Sequence, residues 1–198
     1  MTTVTRTTRA ARLRAVEARA SRCTRCELYE CATQTVFGAG RAAAKLMFVG
    51  EQPGDKEDTA GRPFVGPAGS ILDRAFVDLN IDRKAVYLTN VVKHFRWEPS
   101  GKRRIHKTPT TEHVRACLPW FEEELAIVQP EVVVCLGAVA AHALLGPKFK
   151  LTEQRGKFVE WGRPARVLAT VHPSAVLRAD DREGAYALFL ADLARAIT

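Results

Sequence analysis

The chain has 198 residues, 46% hydrophobic and 26% charged, with a formal net charge of +8 at pH 7. That length and balance suit one domain with a core of its own, and the positive surplus points to a polyanionic partner. No apolar run reaches the roughly 18–20 residues of a membrane span, and no apolar secretory segment opens the chain, so a cytoplasmic setting without membrane contact is expected.

Residues 8–21 read as a helix, in an Arg-rich, acid-poor stretch that faintly resembles a transit peptide. The helix runs into Cys23-Thr-Arg-Cys26, with Cys31 close behind. Five cysteines, an odd number, fit paired disulfides poorly; this group looks more like metal or cluster ligation. "KLMFVG" (45–50) is a short buried strand ending in Gly50. From Pro67, the apolar residues Ile71, Leu72, Ala75, Phe76 and Leu79 follow helical spacing. "AVYLTNVV" (85–92) is a second strand, and "SGKRRIHKTPT" (100–110) a basic loop.

A helix follows through Val114, Leu118, Phe121, Leu125 and Val128, with Thr110 or Thr111 as its cap. "EVVVCLG" (131–137) is the clearest buried strand, and 138–146 a helix closed by Gly146. "RVLATV" (166–171) is a fourth strand, then come His172-Pro173-Ser174 and a helix over about 183–196.

Strands alternating with helices imply an α/β fold, a single domain over 1–198. Its central four-stranded parallel sheet would be flanked by helices on both faces. Ligands in such folds bind beyond the carboxyl ends of the strands. Those ends carry "GEQPGD", "TN", "LG" and "HPS". Glu51 and Asp55 bring carboxylates to that rim, and Asn90 and His172 end two strands there. Phe64 lies on a Gly/Pro-stiffened loop, where an aromatic usually belongs to the core but can also be a stacking platform for a base. Lys102, Arg103, Arg104 and Lys107 suit phosphates, and their positive charge disfavours protonation of His106 among them.

"GEQPGDKEDTAGRPFVGPAG", "YLTNVVKH" and "HPSAVLR" resemble the motifs of the uracil-DNA glycosylase superfamily, in its iron–sulfur, family-four-like branch. "GKRRIH" and Gln52 resemble the X-type subgroup, whose members excise uracil and stay covalently attached to the DNA. The resemblance implies that Phe64 stacks on the flipped uracil, Asn90 reads its edge and His172 donates to its O2. It makes Glu51 and Asp55 the acids of the first motif and His106 the nucleophile that bonds the sugar C1′. Gln52 contacts uracil through its backbone or shapes the turn, and Arg178 touches phosphate or pairs with an acid.

The resemblance also implies a [4Fe–4S] cluster on Cys23, Cys26 and Cys117, with His94 where the family has its remaining cysteine. Cys31 is the rival fourth ligand, and Cys135, in an apolar strand, reads as a buried hydrophobe. Expected partners are uracil-containing DNA, single-stranded or double-stranded, met by a monomer. Two rival readings are a hydrolytic glycosylase that turns over freely and a non-enzymatic iron–sulfur nucleic-acid binder.

Overall fold

A computed structural model describes residues 7–197; the first six residues of the Arg-rich stretch lie outside it. In chain order the helices are α1 (Arg9–Ala20), α2 (Leu28–Cys31), α3 (Asp55–Ala60), α4 (Pro67–Asp78), α5 (Thr111–Val128), α6 (Ala138–Leu145), α7 (Leu151–Gln154), α8 (Pro173–Arg178) and α9 (Arg182–Ala194). The strands are β1 (Ala39–Gly40), β2 (Leu46–Gly50), β3 (Tyr87–Asn90), β4 (Trp97–Ser100), β5 (Arg103–His106), β6 (Val132–Leu136), β7 (Phe158–Val159) and β8 (Arg166–Thr170).

The four expected strands are present as a parallel core, β3-β2-β6-β8. The sheet itself has six strands, because β1 and β7 add antiparallel edges beside β3 and β8. At two residues each, these edges leave no alternation to read in the sequence. A second correction concerns the basic segment, which is not a loop. β4 and β5 pair antiparallel, Trp97 opposite His106 and Ser100 opposite Arg103, with Gly101 (φ 58°) in the turn.

The core strands are buried on both faces, which is why they read as unbroken apolar runs. Met47, Val49, Val133 and Val167 face α1, α5 and α6. Phe48, Val134, Leu136 and Leu168 face α4, α8 and α9. Helix starts follow local chemistry. Thr8 caps α1 by accepting from the Ala11 N–H. Of the two threonines before α5, Thr110 is the cap: its hydroxyl accepts from the His113 N–H, and His113 Nδ1 accepts from the Thr110 N–H. The carboxyl ends of β2, β3 and β8 therefore open on one rim.

Candidate active site

A cleft of about 710 Å³ sits on that rim. Glu51, Gln52, Asp55, Phe64, Asn90, His106, His172 and Arg178 all line it, so these sequence-predicted residues are brought together. Gly50 makes the convergence possible, since a Cβ there would stand 2.3 Å from Asn90 Oδ1 and 2.7 Å from Phe64 Cζ. Phe64 holds a left-handed backbone (φ 55°) that disfavours a bulky residue. Its carbonyl accepts from Arg83 Nη2 at 2.9 Å and leaves no room for a side chain at Gly69. The ring is thereby presented as a wall of the cleft, 6.3 Å from the His172 ring and 28° off parallel.

Tautomers follow from hydrogen bonds. His172 Nδ1 accepts from the Ser174 backbone N–H at 3.2 Å, which puts the ring proton on Nε2. Burial first, then His106 when protonated and the Arg178 guanidinium, push its pKa down to about 4. It is a neutral donor at neutral pH.

His106 ends β5 with its side chain 48% exposed. Its Nε2 lies 2.9 Å from Gln52 Nε2 and 3.7 Å from Glu51 Oε1. Gln52 Oε1 accepts from the Arg96 N–H, so its amide N–H faces the imidazole and the Nε2 lone pair accepts. Partial burial and then Arg178 lower the His106 pKa. The charge that disfavours the imidazolium is thus Arg178, and not the neighbours of His106 in the sequence. Glu51 Oε1 is buried without a hydrogen-bond partner, and burial raises that carboxyl to about 7 against the opposing pull of Arg178.

Asp55 lines the cleft but is engaged by the hairpin. Its Oδ1 accepts from Arg104 Nε at 2.6 Å, and Arg104 Nη1 reaches the buried Asp58 Oδ2 at 2.6 Å. Arg104, expected on phosphates, thus clamps β5 to α3. Lys107 pairs with Glu98 at 2.9 Å. Lys102 and Arg103, at the hairpin tip, are exposed. The Gln52 carboxamide also reaches both hairpin legs, its Nε2 lying 3.2 Å from the Arg96 carbonyl and 3.0 Å from the Lys107 carbonyl, so its two protons are shared among these oxygens and His106 Nε2.

The cysteines form a second corner. Cys23, Cys26 and Cys117 pack at one face of the core. Burial pushes Cys117 up to about 12, with Cys23 and Cys26 adding to the rise. Such thiols ionise readily only against a bound cation. Trp120 Nε1–H points at Cys23 Sγ (3.2 Å) and the Lys93 N–H at Cys117 Sγ (3.2 Å), as donors to metal-bound sulfur do. No three His, Cys, Asp or Glu among the described residues converge on a single-ion site. His94 Nε2 lies 2.8 Å from Thr35 Oγ1, and Cys31 is exposed.

Four groups escaped the sequence reading. Glu57 accepts from the N–H groups of Gly54 and Gly66 and ties the first-motif turn to the Phe64 loop. Arg83 pins Phe64. Lys93 and Glu124 form a buried ion pair beneath Asn90. Spacing signals Glu124 alone: with Cys117, Phe121 and Val128 it lies on the apolar stripe of α5.

An aromatic wall, a buried carboxamide and two neutral imidazoles beside a cationic hairpin define an α/β protein suited to a planar polar ring carried on a polyanion. The chain belongs to the uracil DNA glycosylase superfamily, whose family pattern matches residues 37–194. It is 40% identical over 147 residues to the type-4 uracil-DNA glycosylase of Thermotoga maritima, covering 74% of this chain and 73% of that one. It is 38% identical over 158 residues to the type-4 enzyme of Archaeoglobus fulgidus, covering 76% of each. The type-4 enzyme of Pyrobaculum aerophilum is 40% identical over 159 residues, 76% of this chain and 77% of its own.

Proposed function

We propose that the protein excises uracil from DNA and then bonds itself to the abasic sugar through His106. The observation that carries the capture step is the His106 Nε2 lone pair at the cleft, 3.7 Å from an otherwise unpartnered carboxylate oxygen of Glu51. The uracil leaves the base stack and enters the cleft against Phe64, with Asn90 on its edge. As the C1′–N1 bond breaks, negative charge builds on the uracil, where the His172 Nε2–H stabilises it. Positive charge builds on the sugar, favoured by the Glu51 carboxylate. Nε2 of His106 then forms a bond to C1′, and uracil departs as its N1 anion. The alkylated ring loses its Nδ1 proton to solvent or to uracil and becomes a neutral, poor leaving group.

A [4Fe–4S] cluster would be held by Cys23, Cys26 and Cys117, with His94 or Cys31 completing the set; it would crosslink the N-terminal segment to α5. His94 would serve through Nδ1, its Nε2 keeping the contact with Thr35. The hydrolytic alternative is favoured by the Gln52 contact, which occupies the His106 lone pair and leaves a Glu51-activated water to attack. Peptide mass mapping after reaction with a uracil-containing oligonucleotide separates the two. Capture leaves the sugar on the peptide containing His106; hydrolysis leaves every peptide unmodified and the abasic strand free.

A further inference from the structure

Lys93 and Glu124 are buried almost completely, with side-chain exposures of 1% and 0%. Neither reaches the cleft, and the proposed chemistry uses neither. A pair of this kind seldom adds stability over apolar residues of the same shape, so its place here calls for another reason. The hydrogen bonds supply one. Lys93 Nζ has three protons and three acceptors: Thr89 Oγ1 at 2.6 Å, the Asn90 carbonyl at 2.8 Å, and Glu124 Oε2. Glu124 in turn accepts from the Gly38 N–H (2.9 Å), Tyr87 Oη–H (3.0 Å) and Thr89 Oγ1–H (2.8 Å).

Strand alternation sends Tyr87 and Thr89 toward α5, while Leu88 belongs to the opposite face that Phe64 shares. Asn90 follows Leu88 at two-residue spacing and stands with Phe64 over Gly50. Its backbone is therefore gripped from one side of the sheet and its carboxamide presented on the other. The chain beyond is fixed as well, by the Val91 and Val92 N–H groups on the carbonyls of Gly50 and Glu51. The Lys93 N–H sits on Cys117 Sγ, seven residues before Glu124 on α5.

We propose that the Lys93–Glu124 pair is the positioning device of the base-reading carboxamide, setting where Asn90 meets the pyrimidine edge. This rests on the reading that Asn90 contacts uracil. The two residues touch neither base nor sugar and act through the Asn90 backbone. α5 carries both Glu124 and Cys117, so the thiol corner and the base pocket share one rigid strut.

The test is a cycle of single-turnover uracil release by the full chain on a uracil-containing single-stranded oligonucleotide. It compares wild type, Asn90→Ala, the pair variant Lys93→Met/Glu124→Gln, and the triple variant. Changing both partners leaves no unpaired buried charge, so the pair variant should keep its circular dichroism and a cooperative melt, with the melting temperature lowered by the lost hydrogen bond to the Asn90 carbonyl. Its rate at saturating enzyme should fall on the order of 10- to 100-fold with DNA affinity little changed, as small misplacements of a reading group do. In the Asn90→Ala background the same two changes should cost nothing further.

A folded pair variant with wild-type release overturns the proposal, and so does an equal loss in both backgrounds. Should the pair variant not fold, Thr89→Val goes through the same cycle. It removes the hydroxyl shared by both partners and should cost about 5-fold, the worth of one such hydrogen bond, again only when Asn90 is present. No loss there is equally fatal. The Asn90→Ala arm tests the underlying reading separately: if Asn90→Ala releases uracil as wild type does, Asn90 does not read the base.

Discussion

Glu51 combines two properties that a single substitution can separate. Its carboxyl is pushed up to about 7 by burial, so between the ordinary carboxylate range and pH 7 the folded protein holds a proton that the unfolded chain has lost. Stability from this group is therefore fullest at acid pH and falls as pH rises toward 7. Glu51→Gln should melt higher than wild type at pH 8 and alike near pH 4, while losing sugar capture at both. Thermal melts at the two pH values read this directly. In the proposed chemistry the ionised carboxylate is the working form, so the excision rate should climb with pH through about 7. The imidazoles of His106 and His172 are neutral across that range because both pKa values are depressed, so neither should add an alkaline limb.

At the scale of elements, the β4–β5 hairpin carries His106 and is tied to the body at distinct points. Gln52 holds both legs and Arg104 holds α3. Arg104→Ala would leave the buried Asp58 carboxylate with the Thr33 N–H but no countercharge, at a cost on the order of 2–3 kcal/mol. It should lower the melting temperature and slow capture. Arg103→Ala, at the exposed tip, should leave melting unchanged and reduce the salt dependence of DNA binding by about one phosphate contact. Binding isotherms at several salt concentrations distinguish the two.

The hairpin also shows what the sequence hides. "WEPS" carries a proline inside a strand and "RRIH" lacks a clean alternation, so neither stretch announces pairing. The parallel strands were legible because both faces are buried and each reads as an apolar run. The rim residues were legible because chain order places them at strand ends. The partners of those residues were not. That Arg104 spends its charge on Asp55 and Asp58, or that Lys93 folds back beneath Asn90, depends on contacts between segments far apart in the chain.

Over the whole molecule, α5 links two centres, the thiols at Cys117 and the carboxamide at Asn90, through Lys93 and Glu124. On the proposed cluster reading, Cys117→Ser should abolish iron and sulfide binding and lower the melting temperature by several degrees. It should also expose α1 to proteolysis, since α1 and α5 pack together beside that corner. Iron analysis and limited proteolysis of the purified variant check this without reference to activity. The superfamily fold supports base excision generally; what would set this chain apart is the fate of the sugar after uracil leaves.

The most direct test is incubation with a uracil-containing single-stranded oligonucleotide, followed by denaturing electrophoresis and intact mass. The account predicts a protein–DNA species heavier than the protein by the oligonucleotide less uracil, formed by wild type and absent from His106→Ser. Free uracil with an uncoupled abasic strand, or an adduct that persists in His106→Ser, would contradict it.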